Sequence, residues 1–296
     1  MDSSMRCGMT RVEGVCMLEP FAHIWSRVCA FQAFSDDLLI ATYPKAGTTW
    51  TQEIVDLINN DGDVALSQRA PTHLRIPFLD IPKIADLPQF PSGLELLEKM
   101  ASPRTIKTHL PFQLIPPSFW DQNCKVIYVA RNGKDNAVSY FHFDRMNLLQ
   151  PEPGTWSQYL TRFMEGNVPW GSWFDHVKRF WDERENHRIL YLFYEDMKED
   201  PRREILKIVE FMDKKLDDEV IDNIVDRTSF NTMKDNKMSN YTTFPATIFN
   251  HEISPFMRKG TVGDWKNYFT INQNKLFDSR YKLEMENTSL QFRTEI

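Results

Sequence analysis

Cysteine is scarce in this 296-residue chain. There are four, at Cys7, Cys16, Cys29 and Cys124, with no CxxC spacing. Such usage points to reduced thiols in a cytoplasmic protein rather than to a redox or zinc motif. The seven histidines lack ligand spacing, so no metal site is expected. No apolar run approaches the ~18 residues of a membrane span; the longest, such as Leu38–Ala41 and Val126–Ala130, are short. Met1–Thr10 has no apolar core of a secretion signal, so the sequons at Asn240 and Asn287 read as chance matches. Positive charge is in deficit: 35 Lys and Arg against 41 Asp and Glu leave −6. Phosphate-backbone affinity needs a net positive surface, which argues against a general nucleic-acid binder. A local basic pocket for one small anion stays possible. Internal repeats and low-complexity linkers are absent, and one domain spanning residues 1–296 is expected.

Hydrophobic residues make up 42% and charged residues 26%, enough for a packed core. Aromatics reach 13%, sufficient to line an apolar cavity as well. Leu38–Thr42 reads as a strand, Tyr43–Gly47 as a Pro- and Gly-broken loop, and Thr48 opens the amphipathic period of a helix. Lys125–Ala130 and Arg188–Phe193 read as further strands. Their unbroken apolar runs suit strands buried on both faces of a parallel sheet. Residues 132–135 read as a turn, with helices over Ala137–Met146, Pro201–Met212 and Asp217–Val225. Strands separated by helices predict an α/β fold with a central parallel sheet. Asn236–Gly263 has little periodicity and exceeds the ~12–15 residues of a plain loop, which predicts a lid or binding loop.

Four segments carry chemistry. Thr42-Tyr-Pro-Lys45-Ala-Gly47-Thr48-Thr49-Trp50 puts backbone N–H groups, a helix N-terminus, a lysine and two hydroxyls just past a strand, an anion site by geometry and dipole. It is not a Walker A loop, because Lys45 precedes Gly47. Arg131 with Ser139 follows a second strand, and an arginine fork suits phosphate. Arg258-Lys259-Gly260 falls within the long loop. Lys107-Thr108-His109 is extended, so Lys107 and His109 point the same way. Cation and imidazole together suit a charge stabiliser and a base. Taken singly, the last three are also consistent with a capped turn, a solvated loop and a satisfied strand histidine.

Together the segments resemble the cytosolic sulfotransferases, in particular the phenol (aryl) type. The matching blocks include TYPKAGTTW at 42–50, KTHLP at 107–111, VIYVARN at 126–132, PEPGTW at 151–156, LYLFYEDM at 190–197 and SPFMRKG at 254–260. The resemblance runs from about Val12 to the C-terminus. It implies a single α/β domain that transfers a sulfuryl group from 3′-phosphoadenosine 5′-phosphosulfate (PAPS) to an acceptor hydroxyl, leaving adenosine 3′,5′-bisphosphate, without a metal. Lys45, Ala46, Gly47, Thr48, Thr49 and Trp50 would cradle the 5′-phosphosulfate. Arg131, Ser139, Arg258, Lys259 and Gly260, flanked by Phe256 and Met257, would hold the 3′-phosphate. Trp50, Tyr194, Thr228 and Phe230 would surround adenine, and Ser229 and Met233 would also belong to the cofactor site. His109 would be the base, with Lys107, Lys45 and Ser139 completing the catalytic set. Phe21, Phe78, Ile81, Phe143, Met146, Tyr241 and Phe249, with Lys107, Thr108 and His109, would line the acceptor pocket, which suits a small phenol.

The chain departs from the family pattern at Gly133, where Ala or Pro is common, and at Lys237, where Pro is usual. Thr243–His251 matches poorly. Relatives of this type often pair through a segment that here reads Lys266 to Lys275, with Thr270 and Ile271 kept and a terminal acid replaced by Lys275. Two-fold pairing would then bring lysines together, so a monomer or weak homodimer through residues 266–275 is expected. A nucleotide kinase or an inactive PAPS-binding protein are the competing readings. The first lacks the Walker order and the second would not need Lys45, Lys107, His109 and Ser139.

Overall fold

The computed structural model describes residues 6–83 and 90–296. Its centre is a parallel sheet of four strands in the order β4-β3-β5-β6. These are β3 (Leu38–Thr42), β4 (Thr105–Thr108), β5 (Lys125–Ala130) and β6 (Ile189–Phe193). A small antiparallel hairpin, β1 (Met9–Val12) with β2 (Val15–Leu18), precedes them. All five residues of β3 are buried, which explains why its sequence shows no alternation. Alternate residues nevertheless face opposite sides. Leu39 and Ala41 join a core with Tyr128, Trp173, Phe174 and Phe180. Leu38 and Ile40 join a second core with Ile54, Ile58, Ile205, Ile208 and Ile221. The sheet is therefore covered on both faces. Asp37 anchors one end of it: it is buried against Arg104, whose Nε donates to Oδ1 at 2.9 Å just before β4.

The expected elements at Leu38–Thr42 and Lys125–Ala130 are present as read, and the third strand begins one residue later than expected. One expectation is corrected. Residues 132–135 are not a turn before a helix; they are its start, since the helix runs Gly133–Met146. Asn132 caps it by accepting the Asp135 N–H at 2.9 Å, a local bond that substitutes for the missing intrahelical partner. Asn236–Gly263 contains no regular helix or strand. It is packed, however. Ile248 and Phe249 form a third core with Met146, Tyr241 and Phe90. The Ile248 carbonyl accepts from Leu148 N and the Met146 carbonyl from Asn250 N, both at 2.8 Å.

Candidate active site

In a parallel sheet all strands end at one edge, where loops and helix N-termini face a crevice. Every chemistry-bearing segment lies at that edge. The register pairs Ala41 with Thr108, so His109 emerges beside Thr42. It pairs Ala130 with Phe193, so Arg131 emerges beside Tyr194. The guanidinium of Arg131 sits 4.4 Å over the Tyr194 ring.

Past β3 the chain turns sharply. Lys45 has φ +68° and Gly47 φ +117°. A Cβ on Gly47 would be strained and 3.1 Å from the Tyr194 ring, so glycine is required there. The helix Thr48–Asn59 then begins with no side-chain cap. Its first N–H groups are left for a ligand, and its dipole favours an anion. Lys45 Nζ stands 3.8 Å over the Phe256 ring and 4.7 Å over Phe143. Burial, and then the charges of Lys107, Arg131 and Arg258, lower its pKa to about 7.

His109 is oriented by its backbone neighbours. Its Nδ1 lies 2.8 Å from the Thr42 carbonyl and 3.2 Å from Thr42 Oγ1. A carbonyl only accepts, so Nδ1 carries the proton and Nε2 keeps its lone pair. The His109 carbonyl accepts from His176 Nε2 at 3.0 Å, and His176 Nδ1 meets Tyr128 Oη at 2.7 Å. Burial and the neighbouring Lys107 hold the His109 pKa well below the usual imidazole value. The ring is thus neutral and able to accept a proton. Phe78 and Trp170 flank it at 4.9 and 5.3 Å. Lys107 lies 4.2 Å over Phe78, and burial lowers its pKa to about 8.

The second cationic cluster is held by carboxylates. Asp135 accepts from Gly263 N at 2.7 Å and Trp265 N at 2.9 Å, fixing the end of the long loop. Asp264 accepts from Arg258 at 2.6 Å and Lys259 at 2.5 Å. Burial opposes its ionisation, but hydrogen bonds from Lys259, Asn267 and Arg258 hold its pKa at about 2. Gly260 has φ +63°, and a Cβ there would come within 2.1 Å of Phe230. The donor set fits a nucleotide with anions at both ends. Among the described residues, Arg131 Nε, Arg258 Nε and Trp50 Nε1 are buried without partners, a costly state that an added acceptor would relieve.

One cavity of about 590 Å³ joins both clusters to an apolar chamber. Lys45, Gly47, Thr48, Thr49 and Trp50 line it, as do Arg131, Ser139, Tyr194, Thr228, Phe230 and Met233. So do Phe256, Met257, Arg258, Lys259 and Gly260. At the chamber stand Lys107, His109, Phe21, Phe78, Ile81, Phe143, Tyr241 and Phe249. Four expected residues do not line it. Thr108, one residue out of phase with Lys107 and His109, turns away and donates to Asp80 Oδ1 at 2.8 Å. Met146 is buried in the third core beneath the chamber. Ala46 is buried, its N–H donating to the Tyr43 carbonyl. Ser229 is exposed and caps the helix Phe230–Asp235. Several residues were not legible from sequence. Trp170, Phe90, Phe244 and His73 line the cavity, each from a segment without a motif. Asp80 is buried between Thr108 and the Trp170 indole N–H, each at 2.8 Å. Burial raises its pKa to about 6 against those bonds and Lys107. Among the described residues no group of three metal-ligating side chains occurs, and no helix is long and apolar enough to cross a membrane.

The structure is thus an α/β domain with two cationic clusters at the sheet edge, joined by one cavity. A family model described as a sulfotransferase domain matches residues 35–289. The chain is 53% identical over 294 residues to sulfotransferase 1B1 of Canis lupus familiaris, covering 99% of this chain and 98% of that one. It is 52% identical to human sulfotransferase 1C2, covering 100% and 98%. Among solved structures, mouse sulfotransferase SULT7A1 complexed with PAP superposes with TM-score 0.77 at 30% identity, over 95% and 96% of the two chains. Retinol dehydratase in complex with androsterone and inactive cofactor PAP gives 0.86 at 26%, over 98% and 92%. The chain belongs to the sulfotransferase family, and PAPS-dependent sulfuryl transfer is the family's reaction.

Proposed function

We propose that this protein sulfates the hydroxyl of a small phenolic acceptor, with His109 as general base. The observation that carries the reading is the tautomer of His109, whose Nδ1 is tied to the Thr42 carbonyl at 2.8 Å while the ring lines an apolar chamber joined to two cationic clusters. The donor supplies the sulfuryl group and departs as adenosine 3′,5′-bisphosphate. Thr48, Thr49 and the N-terminus of the Thr48–Asn59 helix would hold its 5′ end; Arg131, Ser139, Arg258 and Lys259 would hold the 3′-phosphate. His109 Nε2 takes the acceptor proton, and Lys45 offsets charge growing on the leaving oxygen. A transferring sulfuryl carries less charge than a phosphoryl, so cations and N–H groups suffice by this reading without a metal. The resemblance also supports a cytoplasmic location, and the departure from it at Lys275 supports a monomer or weak dimer. Lys266 is already paired with Glu295 at 2.7 Å, while Ile271 is 77% exposed.

Thermal shift with nucleotides, followed by turnover of radiolabelled PAPS with a phenol panel, tests the reading. Adenosine 3′,5′-bisphosphate is expected to raise Tm well beyond ATP–Mg²⁺, and simple phenols to be sulfated. Stronger stabilisation by ATP–Mg²⁺ would favour a kinase and sink the proposal. Arg258→Ala gives a sharper check on the 3′-phosphate site. A charge-assisted contact is worth ~1.5–3 kcal/mol, so its loss should weaken adenosine 3′,5′-bisphosphate at least about tenfold and adenosine 5′-monophosphate little. Equal weakening of both in calorimetric titrations would remove Arg258 from that role.

A further inference from the structure

The cavity contains a second imidazole that the reaction does not use. His73 lies on the short helix Thr72–Arg75, and its backbone is fixed on both sides. Thr72 N and Oγ1 donate to the Met238 carbonyl at 2.7 and 2.8 Å, and Thr72 also bonds Glu53. Arg75 is buried, paired with Glu53 and Asp56 of the Thr48–Asn59 helix, and its Nε donates to the Ala70 carbonyl at 2.8 Å. Between these anchors the His73 ring stands among Phe244, Phe90 and Tyr241, at 4.8, 5.8 and 6.2 Å. His109 shares none of these rings; its neighbours are Phe78 and Trp170. The two imidazoles thus occupy separate aromatic settings within one cavity.

Among the described residues, neither nitrogen of His73 has a hydrogen-bond partner. Burial, then the charges of Lys107 and Arg75, lower its pKa to about 4. The ring is therefore neutral near pH 7, with one N–H donor and one acceptor nitrogen. A hydroxyl, which both donates and accepts, complements either nitrogen. An ammonium group does not suit the cavity, because every charged side chain lining it among the described residues is a lysine or arginine.

On the acceptor reading given above, we propose that His73 is a specificity-determining residue. It binds the distal hydroxyl of an elongated, neutral diphenol whose other hydroxyl meets His109. The probes are 4,4′-isopropylidenediphenol and 4-cumylphenol, which differ only in that distal hydroxyl. Their dissociation constants are measured on protein saturated with adenosine 3′,5′-bisphosphate, and kcat/KM with PAPS. Two equivalent ends alone give the diphenol about a twofold advantage, and one neutral hydrogen bond adds roughly three- to tenfold. Wild type should thus favour the diphenol about six- to twentyfold. His73→Phe and His73→Leu, two apolar replacements of different size, should each reduce the ratio to about two, and His73→Asn should restore part of it. Binding of adenosine 3′,5′-bisphosphate reports whether each variant is folded. A wild-type ratio near two, or a wild-type ratio retained in both apolar variants, overturns the proposal. Failure of wild type to bind or sulfate either phenol overturns the acceptor reading and this inference with it; sulfation of both phenols without discrimination overturns this inference alone.

Discussion

His109→Ala is expected to lose about 10²–10⁴ in kcat, the usual worth of a positioned general base, while its affinity for adenosine 3′,5′-bisphosphate stays close to wild type. The separation of effects follows from geometry. The His109 ring contacts Thr42, Phe78 and Trp170, whereas the unpartnered donors suited to phosphate belong to Arg131, Arg258 and Trp50. Burial, Lys107, and more weakly His176 and Lys45, disfavour the imidazolium in the free protein. On the proposed reading, an anionic donor entering between those cations would reduce that penalty and make the ring a better base. Single-turnover kinetics on the preformed donor complex measures the chemical step directly. A His109→Ala rate above a tenth of wild type would transfer the base role to another group. A matching collapse of nucleotide affinity would mean that the ring supports the fold rather than the proton transfer.

Three strands of the parallel sheet were legible because they are largely apolar runs, whereas β4, Thr-Ile-Lys-Thr with alternating burial, carries no such run and read only as extended. Lys45 with Gly47, and Arg131, were legible because they stand just past apolar strands, where an anion site needs them; Arg258-Lys259-Gly260 lies in the aperiodic loop and drew its reading from the resemblance. Residues 132–135 misread as a turn because Asn and Gly usually break helices. Here Asn132 supplies the missing acceptor as a cap, and Gly133 packs where a Cβ would come within 2.8 Å of Phe277. Thr108 and Met146 were placed in the chamber by resemblance, but side-chain phase decides otherwise. One alternation turns Thr108 toward Asp80, and the helix turns Met146 into the core. His73, Trp170 and Asp80 had no local signal at all. Each is placed by long-range partners: Trp170 reaches Asp80 across 90 residues, and His73 meets Tyr241 and Phe244 beside the Thr72–Met238 hydrogen bond. Packing of the aperiodic loop against the Gly133–Met146 helix fixes that half of the chamber, and no short window of sequence encodes it.

Lys45→Ala should damage both binding and turnover, unlike the loss of His109. On the proposed reading Lys45 would meet the 5′ end of the donor in the ground state and the leaving oxygen in the transition state. Removing one preorganised electrostatic partner typically costs about 10²–10³ in kcat, and losing a charge-assisted contact weakens the nucleotide by about tenfold or more. The pH dependence distinguishes this lysine from its neighbours. Burial and three surrounding cations hold its pKa at about 7 in the free protein. A bound phosphate favours the ammonium form and returns that value toward the ordinary lysine range. Below pH 7 Lys45 is already charged, so binding takes up no proton there. Above pH 7 binding must charge it, so affinity for adenosine 3′,5′-bisphosphate falls as pH rises, with roughly one proton taken up per nucleotide. Calorimetry at pH 8 in two buffers of different ionisation enthalpy counts that proton. The phosphates contribute the same background to wild type and variant, so the difference belongs to Lys45. The expected result is clear uptake in wild type and none attributable to the site in Lys45→Ala. Equal uptake in both proteins would mean that Lys45 is charged before the nucleotide arrives, and that its effect on turnover arises from contact geometry rather than from a proton gained on binding.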